Sequence, residues 1–309
     1  MRLIFLGTPA FAVPTLERVV EAGHEVLTVV TQPDRPRGRG QTFAPSPVKQ
    51  AALRLGLPVF QPERVRRPEA VERLRGLGAD CMVVVGYGQI IPQAVIDLVP
   101  LGIVNVHASL LPRYRGAGPI QWAILNGETR TGVTTMRIDA GLDTGDMLLK
   151  AETEIGAEEN SIELGGRLAV MGARLLVETL AGLSAGTIVP EKQDAAQATW
   201  APLLKKSDGL IDWTRDAAAI HNQVRGLQPW PGAYTTFRGQ PLHVWKSRLG
   251  PEIPPSGPGT THRMANRLAV ACGSGSLELL EVQMEGRKRL PAADFANGQR
   301  LADNEVLGG

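Results

Sequence analysis

The chain has 309 residues, of which 43% are hydrophobic and 21% charged, and its formal net charge is +2 at pH 7. This composition is typical of a globular protein of about two domains and excludes a disordered chain. The longest apolar runs, such as residues 26–30 and 82–85, are far shorter than the roughly 18 residues that a membrane-spanning helix needs. We therefore expect no membrane partner.

The first apolar run, residues 3–6, leaves no room ahead of it for a targeting segment, so we expect a cytoplasmic protein. Cys81 and Cys272 are the only cysteines. Two cysteines so far apart form neither a disulfide framework nor a Cys-x-x-Cys site, and we expect no bound metal.

Short apolar runs alternate with longer amphipathic segments through the first two-thirds of the chain. The runs that read as strands are residues 3–6, 26–31, 81–85 and 103–107. This alternation predicts an α/β fold with a Rossmann-like parallel sheet. A long helix is predicted over about residues 160–183.

The composition changes after that helix to a polar stretch that ends in Lys205 and Lys206. We expect a first domain over residues 1–189, a linker over 190–206 and a second domain over 207–309. Short β-like runs separated by turns predict that the second domain is a small β-barrel of the OB type. Its arginines, Arg248 and Arg267 among them, form either a basic face or a scattered solvated surface.

Residues 34–45 are rich in proline, glycine and arginine, which predicts a mobile basic loop instead of a regular element. Arg35, Arg37 and Arg39 on such a loop suit contacts with the phosphates and bases of a nucleic acid. The alternative is a solvated surface loop without a partner.

Asn105 and His107 occupy the end of the strand at 103–107, and residues two apart on a strand point to the same side. Ligands of open α/β sheets bind at the carboxyl ends of the strands, so both side chains can meet one substrate. Acyl transfer needs a donor for the oxyanion and a group that handles protons. The amide of Asn105 and the imidazole of His107 fit these two tasks.

Asp143, inside a glycine-rich loop at 141–146, is the carboxylate that we expect to orient His107 and to favour its imidazolium form. The alternative is that His107 is a hydrogen-bonded structural residue and Asp143 a turn former. The segment that follows His107 favours function, because it is not periodic and carries Arg113 and Arg115 beside an aromatic side chain, Tyr114, that we expect to be exposed.

Residues 86–92 follow the strand at 81–85 and supply flexible glycines and two isoleucines, Ile90 and Ile91, that we expect to be exposed. A plain strand-to-helix connection is the alternative. Neither this loop nor residues 7–11 has the G-x-G-x-x-G spacing of a dinucleotide site, and the chain has no P-loop. These absences argue against a dehydrogenase and against nucleotide chemistry.

The chain resembles the folate-dependent formyltransferases, whose signature is an Asn-x-His strand end, a Ser-Leu-Leu-Pro-x-x-Arg-Gly loop and a Gly-x-Asp-x-Gly-Asp loop. All three stand here, at residues 105–107, 109–116 and 141–146. The resemblance covers nearly the whole chain, through further motifs at 5–9, 31–36 and 228–232. It is closest to the members that formylate methionyl-tRNA.

The resemblance implies catalysis by Asn105, His107 and Asp143, with 10-formyltetrahydrofolate as the formyl donor. It places the folate, through backbone and apolar contacts, against Gly88, Ile90, Ile91, Ser109, Leu110, Leu111, Pro112 and Asp139. Arg113 and Arg115 are left between the folate tail, RNA phosphate and solvent.

The resemblance also implies that initiator methionyl-tRNA is the acceptor and that the basic loop enters its acceptor-stem end. Arg39 matches the key position of that loop, although residues 41–43 lack lysines that some relatives carry. We expect Arg35, Arg37, Lys205 and Lys206 to contact the tRNA as well, and we expect a monomer.

Two alternatives of different kinds remain. A formyltransferase that acts on an amino sugar nucleotide or on glycinamide ribonucleotide would share the three catalytic residues, although neither substrate explains the basic loop together with a second domain. A non-catalytic protein that binds RNA or senses folate would share the fold.

Overall fold

The computed structural model describes residues 1–37 and 42–308. The chain divides into two compact units, and each unit is built from three segments. The first unit comprises Met1–Gly116, Thr131–Thr153 and Gly165–Ala201, and the second Ala117–Arg130, Glu154–Leu164 and Pro202–Gly309. Residues 117–130 and 154–164 thus group with the residues after 201. The division into domains at 1–189, 190–206 and 207–309 stays a prediction.

The strands up to residue 201 are β1 (Arg2–Gly7), β2 (Glu25–Val30), β3 (Arg35–Arg37), β4 (Thr42–Ala44), β5 (Val59–Phe60), β6 (Cys81–Val85), β7 (Ile103–His107), β8 (Arg115–Gly116), β9 (Arg130–Arg137), β10 (Met147–Glu154) and β11 (Trp200–Ala201). The later strands are β12 (Ala233–Phe237), β13 (Gln240–Leu249), β14 (Thr261–Met264), β15 (Arg267–Ala271), β16 (Ser276–Met284) and β17 (Leu290–Pro291). The helices are α1 (Val13–Glu21), α2 (Pro47–Arg54), α3 (Pro68–Arg75), α4 (Gln93–Ile96), α5 (Pro119–Leu125), α6 (Ser161–Ala185), α7 (Ala217–Gly226) and α8 (Ala292–Gly298).

The first unit is built on a sheet of seven strands in the order β10-β9-β7-β6-β1-β2-β5. Five of these strands, from β7 to β5, pair in parallel, and β9 runs antiparallel to β7. The central strands β1 and β6 are almost wholly apolar because both of their faces are covered. The predicted α/β fold with a parallel sheet is confirmed.

The strand order reverses between β1 and β6, because the chain first proceeds outward to β2 and β5 and then returns to the other side of β1. In open α/β sheets the ligand crevice opens at such a reversal, at the carboxyl ends of the strands. The loop after β1 meets the loop after β6 there, since the Thr8 hydroxyl donates to the carbonyl of Tyr87 at 3.0 Å. The strand β7 ends beside the same crevice.

The prediction that residues 34–45 contain no regular element is wrong in part. β3 and β4 form an antiparallel ribbon in which Arg35 pairs with Ala44 and Arg37 with Thr42. A ribbon of two strands has outer edges where no main-chain N–H is needed, so it tolerates Pro36. Arg39 lies outside the described residues, and of Arg37 only the backbone is described.

The long helix α6 was predicted from its apolar periodicity and is confirmed at Ser161–Ala185. Within residues 1–37 and 42–308 it is the one helix long and apolar enough to cross a membrane by length and composition alone. Its most apolar window of 18 residues is 44% buried inside the protein. Leu164, Leu168, Leu176 and Leu180 are fully buried, and the core helix of a soluble protein meets the same criteria.

The second unit contains an antiparallel sheet in the order β12-β13-β16-β15-β14, with β17 paired to β16. The sequence predicts short β-like runs at residues 242–245, 268–271 and 277–282, and these lie within β13, β15 and β16. The predicted fold class, with a separate β domain in the C-terminal part, is confirmed, and its strands form an antiparallel sheet. The helices α7 and α8 pack on this sheet and cover a core that includes Ile220, Phe237, Leu242 and Phe295.

Candidate active site

The end of β7 places Asn105 and His107 on one face of the sheet, as the strand period requires. Asn105 is partly exposed and His107 is buried. The Nε2 atom of His107 lies 2.9 Å from the main-chain carbonyl oxygen of Tyr114. Because a carbonyl oxygen only accepts hydrogen bonds, we assign the ring hydrogen to Nε2. The other ring nitrogen, Nδ1, is 3.7 Å from Oδ2 of Asp143.

Asp143 faces His107 from a loop whose backbone is held in an unusual conformation. Its φ angle is 53°, in the left-handed region that aspartate and asparagine tolerate better than most other residues. Its Oδ2 atom accepts a hydrogen bond of 2.8 Å from the N–H of Gly116. The structure therefore brings the imidazole and the carboxylate together, with Asn105 one strand repeat before the imidazole.

Asp139 shapes the same loop from its beginning. Its carboxylate accepts hydrogen bonds from the N–H of Gly141 at 3.0 Å and from the Thr144 hydroxyl at 2.8 Å. This carboxylate is exposed and accepts from both donors. The folate contact expected of Asp139 stays a prediction.

The loop after His107 is fixed mainly by buried hydrogen bonds. The hydroxyl of Ser109 donates to the carbonyl of Arg113 at 2.6 Å. The hydroxyl of Thr134, on β9, donates to the Ser109 carbonyl at 2.7 Å and accepts from the Leu111 N–H at 3.1 Å. Ser109 and Leu111 are buried, whereas Leu110 and Pro112 are partly exposed. The expected folate contacts of these four residues stay predictions.

One expectation about this loop is wrong: Tyr114 is not exposed, since only 6% of it is accessible to solvent. Arg115, which the sequence left between the folate tail, RNA phosphate and solvent, is equally buried. Arg115 and Gly116 form β8, which pairs in parallel with β11. The guanidinium of Arg115 donates from Nε and Nη2 to Oε1 of Gln193, at 2.9 and 2.7 Å. Arg115 is thus an internal residue, whereas Arg113 is exposed, with Cζ 5.3 Å from the Tyr114 ring centroid.

The loop after β6 carries one isoleucine in solvent and one against the core. Ile90 is 91% exposed, as expected, but Ile91 is only partly exposed because it packs on the apolar cluster around Ile103. Gly88 is exposed at a φ of 84°, where a side chain would be strained. Tyr87 is buried, and this burial raises the pKa of its hydroxyl to about 12, so it stays protonated at neutral pH.

The residues predicted to contact RNA lie in both units. Arg35 is exposed in the first unit, and Lys205 and Lys206 are exposed in the second. Their binding role stays a prediction. In the described ranges 1–37 and 42–308, no group of three or more His, Cys, Asp or Glu side chains is placed to hold a metal ion.

Sequence reasoning missed the residues that hold the pair of His107 and Asp143. Gly116 donates its N–H to Asp143, Thr134 holds the loop after His107, and Gln193 binds both Arg115 and the Asp143 loop. None of these contacts follows from local periodicity. The Arg-Gly pair inside the loop motif is the one signal that pointed to Gly116.

The sheet, the site and the family comparison together define the class of protein. Residues 1–180 match the formyl transferase family, and residues 203–300 match the formyl transferase C-terminal domain. The chain belongs to the formyl transferase family. It is 77% identical over 308 residues to the methionyl-tRNA formyltransferase of Solibacter usitatus (strain Ellin6076). This alignment covers 100% of the chain and 99% of that relative.

Solved structures share the fold at low sequence identity. HypX from Aquifex aeolicus, in complex with tetrahydrofolic acid, superposes with a TM-score of 0.67 at 17% identity, over 99% of this chain and 48% of that chain. An N-formyltransferase from Helicobacter canadensis, in complex with folinic acid and dTDP-3-aminofucose, has a TM-score of 0.66 at 18% identity, over 91% of this chain and 98% of that chain. These similarities support the fold assignment alone.

Proposed function

We propose that this protein transfers the formyl group of 10-formyltetrahydrofolate to the α-amino group of methionyl-initiator-tRNA. The observation that carries the proposal is the 77% identity, over the whole chain, to a methionyl-tRNA formyltransferase. The cluster of Asn105, His107 and Asp143 at the end of β7 supports the chemistry.

The residues around the crevice fit a folate. A pterin is a flat ring with polar edges, and it needs apolar side chains on its faces and main-chain groups at its rim. Ile90 is exposed to 91% and Leu142 to 58%, so each offers an apolar contact, and Gly88 leaves its backbone accessible. We propose that Gly88, Ile90, Ile91, Ser109, Leu110, Leu111, Pro112 and Asp139 form this site. The bound folate supplies an activated one-carbon group.

Asn105 and His107 would act on the charge and the protons of the transfer. The amide of Asn105 offers N–H donors to the formyl oxygen as negative charge builds there, and such a donor is typically worth about 2.7–4 kcal/mol of barrier. Nε2 of His107 is committed to the Tyr114 carbonyl, so Nδ1 is the atom that exchanges a proton with the substrates. Asp143 holds a negative charge 3.7 Å from that atom and stabilises the ring when it is protonated.

The acceptor tRNA would be bound by cations outside this cluster. Arg35, Arg37 and Arg39 belong to the segment around β3 and β4, and Lys205 and Lys206 lie in the second unit. Lysine and arginine at these positions suit contacts with RNA phosphates. We further propose that the protein acts as a cytoplasmic monomer, with residues 1–189 as the catalytic domain and 207–309 as the tRNA-binding domain.

Transfer of radiolabelled formyl from 10-formyltetrahydrofolate tests the proposal, with methionine-charged initiator tRNA, uncharged tRNA and an amino sugar nucleotide or glycinamide ribonucleotide as acceptors. We expect label on the charged tRNA alone. Label on the amino sugar nucleotide or glycinamide ribonucleotide alone would support formyl transfer as the reaction and exclude methionyl-tRNA as its acceptor. Tight binding of tRNA without any transfer would identify a non-catalytic RNA-binding protein.

A further inference from the structure

We infer that Gln193 is a positioning residue for the Asp143 carboxylate. Its amide group makes hydrogen bonds to the loop that carries Asp143 and to Arg115, the neighbour of the Gly116 that binds the carboxylate. The kinetic part of this inference rests on the proposed function, whereas its structural part does not. Gln193 lies between α6 and β11, about fifty residues after Asp143 in the sequence.

The amide nitrogen of Gln193 binds the main chain of the Asp143 loop. Nε2 donates to the main-chain carbonyl of Asp143 at 2.8 Å and to that of Gly145 at 2.8 Å. Asp143 has a φ of 53°, and backbone in this region persists when the surroundings hold it in place. The two bonds from Gln193 fix the peptide groups that follow Asp143 and Gly145, and so the direction in which the Asp143 side chain leaves the loop.

The amide oxygen of Gln193 binds the segment that contains Arg115 and Gly116. Oε1 accepts from Nε and Nη2 of the buried Arg115, at 2.9 and 2.7 Å. The next residue, Gly116, donates its N–H to Oδ2 of Asp143 at 2.8 Å. Gln193 therefore closes a ring of contacts that runs through Arg115, Gly116 and Asp143 and back to its own amide.

The orientation of the Gln193 amide is fixed by chemistry. With its oxygen and nitrogen exchanged, the oxygen would face two carbonyl oxygens and the NH₂ group would face two guanidinium N–H groups. Neither contact is a hydrogen bond, so only one orientation satisfies all four partners. Each half of the amide can consequently be tested by a separate substitution.

Gln193→Met removes both halves at nearly constant volume, and Gln193→Glu keeps the acceptor for Arg115 but replaces the NH₂ donor by an oxygen. Gln197→Met is the matched control, because Gln197 is exposed on the same segment and its amide donates to the neighbouring Asp194 carboxylate. The first readout is hydrogen exchange of the Gly116 N–H, measured by NMR in the folate-free protein. The second is kcat, KM and the pH profile of kcat for formyl transfer.

We expect the Gly116 N–H to exchange at least tenfold faster in Gln193→Met, and kcat to fall about tenfold to a hundredfold while KM for both substrates stays within about threefold. We also expect the pH profile of kcat to change shape, which a smaller folded fraction would not cause. Gln193→Glu should lower kcat even though Arg115 keeps its partner, and Gln197→Met should match the wild type.

Wild-type exchange at Gly116 in both Gln193 variants, together with an unchanged kcat and pH profile, would overturn the inference. If Gln193→Met does not fold, Gln193→Glu decides the question alone, since its pairing with Arg115 is retained. A wild-type protein without formyl transfer would remove the proposed function, and the exchange measurement would still test the contact.

Discussion

The His107 ring has two nitrogens with different tasks, because Nε2 is bound to the Tyr114 carbonyl and Nδ1 faces Asp143. We expect His107→Ala to lower kcat about a hundredfold to ten-thousandfold, since a positioned acid or base contributes that much. Asn105→Ala should lower kcat about a hundredfold to a thousandfold through loss of the oxyanion donor. Single-turnover formyl transfer measures both effects, and equilibrium fluorescence titration should show folate binding within a few-fold of wild type.

The control for these two variants is His24→Ala, because His24 lies in the connection between α1 and β2 and only approaches the N-terminal amine. It should turn over at the wild-type rate. Near-normal rates in His107→Ala or Asn105→Ala would contradict the roles assigned to them.

Asp143 contributes both a negative charge and a hydrogen-bond acceptor, and Asp143→Asn separates the two. Asparagine tolerates a φ of 53° and keeps an oxygen for the Gly116 N–H, so the loop should retain its shape. The loss of charge beside Nδ1 of His107 should lower kcat about tenfold to a thousandfold, with little change in the melting temperature. Steady-state kinetics and a thermal melt measure the two quantities. Asp97→Asn, at an exposed position, is the control, and a variant as active as that control would show that the charge is dispensable.

At the scale of the element, the strands β13, β15 and β16 are joined by one buried carboxylate. Glu278 on β16 receives Arg248 from β13, with Nη2 2.9 Å from Oε1, and Arg267 from β15, with Nε 2.9 Å from Oε2. Burial alone would raise the pKa of Glu278, but the hydrogen bonds from Arg267 and Arg248 outweigh it and lower the pKa below its usual 4.5. Arg248 and Arg267 thus link three strands through Glu278, whose single negative charge balances one of their two positive charges.

The lowered pKa of Glu278 predicts a pH-dependent stability. The contribution of this group is complete above pH 4.5 and is lost as the pH falls from there through the pKa of the folded state. We expect Glu278→Gln to flatten the loss of stability with acid below pH 4.5. Urea unfolding followed by tryptophan fluorescence between pH 3 and 7 measures this, because four of the five tryptophans lie in the second unit. An acid dependence as steep as that of the exposed control Glu252→Gln would contradict it.

Elements with their own apolar signal could be predicted from the sequence, and elements that depend on distant partners could not. β6 and β7 begin and end at the predicted residues, because buried parallel strands are continuous apolar runs. β8 and β11 have two residues each and exist only because residues 115–116 meet residues 200–201. Tyr114 and Arg115 are buried beside and within this pairing, and Tyr114 N–H donates to the Thr199 hydroxyl, 85 residues away. A local sequence pattern does not reveal such distant contacts. The site motifs located His107 and Asp143, and only the fold located Gln193.

At the scale of the whole molecule, the formyl-transfer site and the cations expected to bind RNA occupy different parts of the chain, so their effects should separate. Arg39→Ala should raise KM for methionyl-tRNA about tenfold and lower the dependence of log KM on log salt by about one unit, because one phosphate contact is lost. The KM for 10-formyltetrahydrofolate should stay unchanged. Initial rates at several potassium chloride concentrations measure these values, with the exposed Arg66→Ala as the control. An unchanged KM for tRNA would exclude Arg39 from the interface.

Two hydrogen bonds to the side chains of the catalytic pair come from the main chain: the Tyr114 carbonyl on His107 and the Gly116 N–H on Asp143. At Gly116 a Cβ atom would lie 2.6 Å from the Ala201 carbonyl oxygen, so this position also excludes every side chain. Point mutations in a library change side chains and leave carbonyls and most N–H groups in place. Directed evolution of the acceptor preference can therefore randomise exposed loops outside residues 86–92, 109–116 and 139–146, provided that Gln193 is also kept, without dismantling the chemistry that the library is meant to redirect.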